Sequence, residues 1–315
     1  MLARVANNLF WMGRYIERSE HIARYMHVNY FSSLDAPNEL SRSRQFVLNS
    51  MLRMIGDPES PKGKELKEED VLFKLALDHN HPYSIISNVK YTRENANSAR
   101  DLISTDLYES INKFYHFVLK YPVDHFLKKG MYDFCINIIE MSSILRGKIR
   151  STLLHDEVYA IILLGVNLER ANQLIRISNS KYKDATISKG GYGNTFRNSF
   201  EWTTLLKSVE SYDMMRRFYK KTPTSATTLE FLILNPNCPR SLMNSLNQIY
   251  THIRVLDNSF RYNKNSTAFL VGRVRSEYQY KYIEEIEGNI EQFIDGMLKN
   301  LADIGTQMEN EFFHY

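Results

Sequence analysis

The sequence predicts an all-α protein, a large helical bundle with no substantial β-sheet. Glycine (13) and proline (8) are scarce over 315 residues, which favours long helices. Apolar residues recur at spacings of three and four along most of the chain, as they do on the buried face of a helix. No stretch has the alternation of a strand hairpin, and none alternates strands with helices. We therefore expect one all-helical domain over residues 1–315.

The first helix is predicted to begin at the start of the chain and to continue to about Leu34. Apolar side chains cover two of its sides: Leu2, Val5, Leu9, Met12, Ile16 and Ala23 on one, and Trp11, Tyr15 and Ile22 on the other. A narrow strip between them carries Arg14, Glu17 and His21, at spacings that let Glu17 meet both neighbours. Because its two flanks are apolar, we expect the strip to be partly buried, where charges are costly unless they are paired.

The remaining helices are predicted between breaks rich in proline, glycine and asparagine. They cover about 39–55, 68–77, 85–103, 105–120, 123–150 with a break at Gly130, 155–178, 198–220, 226–234, 240–257 and 277–313. Ser84 and Ser104 precede two of them, in the position of a side-chain cap. Residues 56–67 and 183–194 are predicted loops. The second contains three glycines, but it lacks the lysine and the preceding strand of a phosphate-binding loop.

Composition sets the broad class of partner and compartment. The net charge is only +4, and lysine and arginine are spread along the chain, so no nucleic-acid partner is predicted. Cys135 and Cys238 lie far apart without metal-binding spacing, which favours a reduced, cytoplasmic setting. Arg4, Asn7 and Asn8 interrupt any signal sequence, and no run approaches the roughly 20 apolar residues that span a bilayer. We therefore expect no membrane association.

The segment GRYIERSEHIAR at 13–24 has a partial copy, GVNLERANQLIR, at 165–176. The identical positions, each separated by 165 − 13 = 152 residues, are Gly13 and Gly165, Glu17 and Glu169, Arg18 and Arg170, and Arg24 and Arg176. Such an offset is typical of a duplication, with related halves at about 1–150 and 151–315. The two Glu–Arg pairs would then meet across a pseudo-two-fold axis. Chance similarity between helices remains the alternative.

Two kinds of chemistry are possible for the polar residues. Glu17, Glu169 and Glu94 are candidate general acids or bases, with a pKa raised by burial. The candidate ligand-binding residues are Arg14, Arg18, Arg93, Asn95, Asp156, Glu157, Arg170 and Arg240. Arginine forks suit carboxylate or phosphate groups. A di-metal bundle needs Glu-x-x-His pairs, which Glu17 and Glu169 lack, so neither a metal nor another cofactor is predicted.

Four blocks of sequence resemble the bacterial alpha-E family, in the order in which that family has them. The first is NLFWMGRYIER at 8–18, and the second is NHPYSI at 80–85 followed by RENA at 93–96. The third is HDE at 155–157 followed by GVNLERA at 165–171, and the fourth is EFLILNP at 230–236 followed by PRS at 239–241. The resemblance covers essentially the whole chain. His155, Val166 and Asn235 depart from the usual residues, so an arginine or aspartate at those positions is not essential.

The resemblance implies an all-helical protein whose activity is not established. Members are typically encoded beside circularly permuted ATP-grasp proteins and transglutaminase-like proteins, which implies an ATP-grasp-type partner in an ATP-dependent amide- or peptide-ligase system. Three hypotheses follow: an accessory component that binds a peptide or carboxylate ligand, an enzyme that acts on a small peptide or amide through a glutamate, and a structural scaffold. All three predict that Glu17 and Glu169 point inward.

Overall fold

A computed structural model describes residues 2–36, 39–57, 65–187, 195–256 and 263–313, and every regular element in those ranges is helical. The α-helices are α1 (Ala3–Ser32), α2 (Glu39–Arg42), α3 (Arg44–Ile55), α4 (Glu68–Ala76), α5 (Ile85–Ser98), α6 (Thr105–Leu119), α7 (Val123–His125), α8 (Met131–Thr152), α9 (Glu157–Ile187), α10 (Thr195–Ser208), α11 (Tyr212–Tyr219), α12 (Ser225–Leu229), α13 (Leu242–Leu256), α14 (Thr267–Gln279), α15 (Ile283–Glu287) and α16 (Ile290–Met308). The all-α prediction is confirmed.

The bundle is organised around the two longest helices, α1 and α9, which pack against each other. Helices α5 and α8 also pack on α1, and α13, α16 and α3 also pack on α9, while α10 contacts both central helices. As a result, residues 16–23 of α1 are buried on every side of the helix. A helix that is buried all round must neutralise its own polar side chains within the protein.

Two glycines allow the backbones of α1 and α9 to touch. A Cβ atom on Gly13 would lie less than 3.0 Å from the carbonyl oxygen of Ile162, and one on Gly165 less than 3.0 Å from that of Phe10. Ile162 lies 152 residues after Phe10, so the two contacts are reciprocal under the offset of the sequence repeat. Only glycine permits this approach on both helices.

Most of the predicted inward face of α1 is buried, as expected. Leu9, Met12 and Ile16 are fully buried, whereas Leu2 is 74% exposed because it precedes the first helical turn and has no helix packed over it. The predicted caps are also confirmed: the Ser84 and Ser104 hydroxyls accept bonds from the backbone N–H of residues 87 and 107. These caps begin α5 and α6.

The predicted helix over 198–220 is wrong, because the chain turns between α10 and α11. Glu210 has φ 55°, in the left-handed region, although no glycine or proline marks the turn. The predicted break at Gly130 is instead a π-helical turn, Phe126–Gly130, that leads directly into α8.

The predicted single helix over 277–313 is also divided, at Tyr280–Tyr282 and again at Asn289. The Asn289 side chain accepts a bond from the N–H of Gln292 and so starts α16 separately. Most of helix α14 lies between the predicted helices over 240–257 and 277–313 and was not expected from the sequence.

Helix α9 extends nine residues beyond the predicted end at Ser178. Its last part is held by buried polar contacts: Lys181 Nζ lies 2.7 Å from Asp184 and 3.1 Å from Glu201, and Arg53 lies 2.8 Å from Asp184. The three-glycine stretch of the predicted loop lies outside the described residues. Among the helices that are described, none combines the length and the apolar character that crossing a bilayer requires.

Candidate functional site

The two ER dipeptides face each other where α1 and α9 cross. Arg18 donates from Nε to Glu169 Oε1 at 2.6 Å and from Nη2 to Oε2 at 3.0 Å. Arg170 donates in the same way to Glu17, at 2.6 and 3.1 Å. Both carboxylates are buried, which confirms that Glu17 and Glu169 point inward. The reciprocity concerns these two helices, and the wider relationship between the halves of the chain stays a prediction.

Each carboxylate also meets the residue one helical turn farther along. His21 Nε2 lies 3.3 Å from Glu17 Oε1, and Gln173 Nε2 donates to Glu169 Oε1 at 2.8 Å. His21 and Gln173 are 152 residues apart, so they occupy equivalent places in the repeat. Burial lowers the pKa of His21 although Glu17 opposes the change, so the imidazole is neutral at pH 7 and donates its Nε2 proton.

The remaining arginines break the two-fold pattern. Arg14 Nε donates to Glu169 Oε2 at 2.8 Å, whereas the equivalent position on α9 is Val166. Arg240, in the turn before α13, donates to Glu17 Oε1 at 3.1 Å. Arg146 of α8 lies 3.8 Å from the other oxygen of Glu17. Each carboxylate is therefore in contact with more than one guanidinium group. Those on Glu169 both come from α1, whereas those on Glu17 come from α9, α8 and the turn before α13.

Two further glutamates extend the cluster toward the surface. Glu20 Oε1 accepts bonds from Arg24 at 2.9 Å and from Arg240 at 2.8 Å, and its Oε2 pairs with Arg146. Glu210 pairs with Arg240 and, at 3.1 Å, with Arg24. We call the whole set the ER centre. Its members are Glu17, Glu20, Glu169, Glu210, Arg14, Arg18, Arg24, Arg146, Arg170 and Arg240.

Positive charge exceeds negative charge in the ER centre. Six arginines face four glutamates, an excess of two with His21 neutral. Burial lowers the pKa of Arg146 to about 10, and the neighbouring Arg240 and Arg170 lower it as well, in spite of Glu17 and Glu210. A buried group with surplus guanidinium donors is a favourable environment for an added anion.

The glutamates are poorly suited to general acid–base chemistry. Burial raises the pKa of Glu17, but Arg170, His21, Arg240 and Arg146 together outweigh burial and hold that pKa well below its usual value. Burial likewise raises the pKa of Glu169, but Arg18 and Arg14 lower it by more, so this pKa also lies below its usual value. The expectation that burial gives these carboxyls a raised pKa is therefore wrong. At neutral pH both are carboxylates committed to arginine.

Aromatic rings hold the arginines in place. The Arg14 guanidinium carbon lies 4.4 Å from the centre of the Trp11 ring, and that of Arg18 lies 4.9 Å from the Tyr83 ring. Such cation–π contacts restrict the side chains without using their N–H donors. The donors remain directed at the carboxylates.

Five of the residues proposed from sequence lie outside the ER centre. Glu94 is exposed, and its carboxylate lies 3.9 Å from Lys90 Nζ. Arg93 donates to Asn112 and lies over Tyr115 on the α5–α6 surface. The others are Asn95, which is half-buried on α5, Asp156, whose carboxylate accepts the Val158 N–H at the start of α9, and Glu157, the exposed first residue of α9.

Sequence reasoning did not identify four members of the ER centre. Glu20 and Arg24 are four residues apart on α1, so that spacing was a usable signal. Nothing in the local sequence distinguishes Arg146 or Glu210 from ordinary exposed residues. In the described part of the chain, no group of three or more histidine, cysteine, aspartate or glutamate residues is placed to hold a metal ion.

Comparison with known proteins supports a family assignment over the whole chain. Residues 1–313 match the model of the Alpha-E family, described as "a predicted alpha-helical domain with a conserved ER motif". The dipeptide ER occurs twice in this chain, at 17–18 and 169–170.

The chain is also similar to uncharacterized proteins of Mycobacterium bovis and Mycobacterium tuberculosis, with 23% identity over 322 residues. The match covers 96% of this chain and 34% of each relative, so the chain spans about a third of their length. No solved structure matches the chain significantly.

Proposed function

The chain belongs to the Alpha-E family, and from that membership we propose that it is an accessory, ligand-binding component of an ATP-grasp-linked amide-ligase system. The observation that carries the proposal is the charge excess of the ER centre. Six arginines meet four glutamates in a largely buried cluster, where an uncompensated cation is costly. A ligand with a carboxylate or other anionic group would offset the excess.

The side of the ER centre at Glu210 is open to solvent. Arg24, Arg146 and Arg240 contact Glu210, Glu20 or both, and Glu210 is half-exposed to solvent. A peptide that places an acidic group there would be held by guanidinium groups from α1, α8 and the turn before α13. The low pKa of Glu17 and Glu169 supports a binding role over a general-base role, because an arginine-paired carboxylate does not take up a proton at neutral pH.

Affinity purification of the tagged full chain from its native host, followed by mass spectrometry, tests the accessory role. We expect an ATP-grasp-type protein to be enriched. We also expect the purified pair to join a carboxylate to an amine in an ATP-dependent reaction that neither protein carries out alone. The tagged Glu94→Gln variant is a matched control, since Glu94 lies on the surface outside the ER centre and should purify the same partner. Failure to recover any ATP-grasp protein from the native host would refute the accessory role.

The reciprocal bidentate pairs favour a second candidate, a structural scaffold. Arg18–Glu169 and Arg170–Glu17 fasten α1 to α9 without any ligand. If fastening is their whole purpose, apolar replacement of Glu169 together with both of its arginines, Arg14→Val and Arg18→Met with Glu169→Leu, should preserve both stability and every cellular phenotype of the protein. A stable triple variant that fails to complement a deletion strain would argue for ligand binding instead.

A further inference from the structure

Glu210 differs from the other glutamates of the ER centre in its exposure. Its side chain is 49% exposed, whereas those of Glu17, Glu20 and Glu169 are 0–1% exposed. It reaches the cluster from the turn after α10, with its carboxylate between Arg240 and Arg24. It is therefore the one carboxylate of the cluster that can leave for solvent without breaking a helix or uncovering the core.

The backbone of Glu210 is in a conformation that favours glycine. Its N–H bonds to the Lys207 carbonyl at 3.1 Å, and the next N–H, of Ser211, bonds to the Leu206 carbonyl at 2.8 Å. These two bonds are the helix ending in which a left-handed glycine is usual. Glutamate is less favourable than glycine in this backbone conformation. Its side chain, however, contacts two arginines, Arg240 and Arg24.

Lys220 provides a comparison within the same part of the chain. It is the other non-glycine residue with positive φ among the described residues, and it ends α11. Its side chain is exposed and takes part in none of the ion pairs found between described residues. Both residues therefore have a left-handed backbone, each at its own helix end, but of the two it is Glu210 that contacts buried arginines.

We infer that Glu210 occupies the place of a ligand carboxylate, and that Arg24, Arg146 and Arg240 bind the carboxylate of a peptide or small acid when the Glu210 side chain turns out to solvent. The exchange replaces like with like, since the planar Glu210 carboxylate already satisfies Arg240 and Arg24. Removing it leaves six arginines with three glutamates and raises the charge excess from two to three. The inference rests on the proposed ligand-binding role.

Arg146 lies in the electrostatic field of the carboxylate that would leave. Its Nη1 pairs with the buried Oε2 of Glu20, and its side chain is 23% exposed. Glu17 and Glu210 are the carboxylates that oppose the lowering of its pKa by burial. A ligand carboxylate that replaced Glu210 would therefore stabilise the same guanidinium group.

Calorimetric titration of the full chain with N-acetylglycine, a mimic of a peptide C-terminus, tests the inference. Glu210→Gly removes the competing carboxylate and suits the backbone, so the variant should fold and should bind the probe about tenfold tighter or more than the wild type. Lys220→Gly relaxes the other left-handed helix end, at a residue that is not part of the ER centre, and should leave the affinity at the wild-type value. Equal affinities for Glu210→Gly and Lys220→Gly would overturn the inference.

Further probes test the ligand class and the arginines. N-acetylglycinamide, which lacks the carboxylate, should not bind, and inorganic phosphate should bind more weakly than N-acetylglycine. Adding Arg24→Gln to Glu210→Gly should abolish the gain, with circular dichroism to verify the fold. Binding of the amide, tighter binding of phosphate, or an unchanged gain in the double variant would each overturn the assignment.

These outcomes are separable from failure of the proposed function. Equal binding of N-acetylglycine by the wild type and Glu210→Gly would remove the role of Glu210 and leave ligand binding intact. Loss of the ATP-grasp partner in affinity purification would refute the accessory role, whatever the titration gives.

Discussion

Arg18 and Glu169 form a two-point ion pair across the centre of the protein, with Nε–Oε1 and Nη2–Oε2 distances of 2.6 and 3.0 Å. The Glu169 side chain is 1% exposed and that of Arg18 9%. At this burial neither charge has bulk water to solvate it, so each depends on the other. Arg170 and Glu17 depend on each other in the same way. The stability of the α1–α9 crossing should therefore depend on both ion pairs.

Glu169→Gln should destabilise the protein by about 3–5 kcal/mol, because it leaves the guanidinium groups of Arg14 and Arg18 without their carboxylate. Urea denaturation followed by circular dichroism measures the loss. Glu94→Gln is the matched control, since Glu94 is exposed, and should change the free energy of unfolding by less than about 0.5 kcal/mol. Similar losses for both substitutions would contradict the assigned roles.

Arg14→Val should cost less than Arg18→Val. Position 14 corresponds to Val166 in the other copy, and Arg14 makes one bond to Glu169, which keeps its bidentate contact with Arg18. We expect about 1.5–3 kcal/mol for Arg14→Val and about 3–5 kcal/mol for Arg18→Val. Equilibrium unfolding of the two variants decides the order, and a larger cost for Arg14→Val would contradict the geometry.

Gly165→Ala should lower stability by about 1–3 kcal/mol or more, since its Cβ would overlap the backbone of Phe10 and force α1 and α9 apart. Gly147→Ala is the control. Gly147 lies in α8 with nothing within 4 Å of an added Cβ, so alanine there should stabilise the helix by about 0.5–1 kcal/mol. The thermal midpoints of the two variants should therefore move in opposite directions.

His21→Gln should remove one component of the dependence of stability on pH. Burial holds the pKa of folded His21 below the ordinary 6.5, although Glu17 raises it, and Arg240 and Arg170 lower it further. As the pH falls below about 6.5 the unfolded chain binds the proton first, so stability is full above that pH and declines below it. The limiting slope is about 1.4 kcal/mol per pH unit.

Unfolding free energies measured between pH 7.5 and 5 test this prediction. Gln173 already shows that glutamine can donate to the equivalent carboxylate, so His21→Gln should remain folded at pH 7. Parallel pH profiles for the variant and the wild type would show that His21 does not contribute.

More could be predicted from the sequence about the crossing of α1 and α9 than about the helices around it. The ER repeat indicated that Glu17 and Glu169 point inward, because spacing along a helix determines its faces. Which helix supplies the partners was accessible only through the repeat, and only for Arg18 and Arg170. Arg240 was identified through a block of family sequence rather than through any physical pattern.

The members of the ER centre that other parts of the chain contribute, Arg146 and Glu210, could not be predicted from the sequence. Arg146 lies beside the exposed Gly147 on α8 and has no local pattern of a buried residue, since its role comes from the packing of α8 on α1. The turn at Glu210 was missed because turn prediction relies on glycine and proline, and a glutamate with positive φ gives no such signal. The α10–α11 boundary and the open side of the ER centre were missed for the same reason.

The close approach at Gly13 and Gly165 fixes the register of the two central helices. In each copy the glycine precedes the glutamate by four residues, so the backbone contact determines where the carboxylate meets the opposing arginine. Inserting one residue between glycine and glutamate would rotate that glutamate by about 100° around the helix and move it about 1.5 Å along the axis. The length of this five-residue stretch is therefore constrained in both copies, independently of which side chains fill its middle.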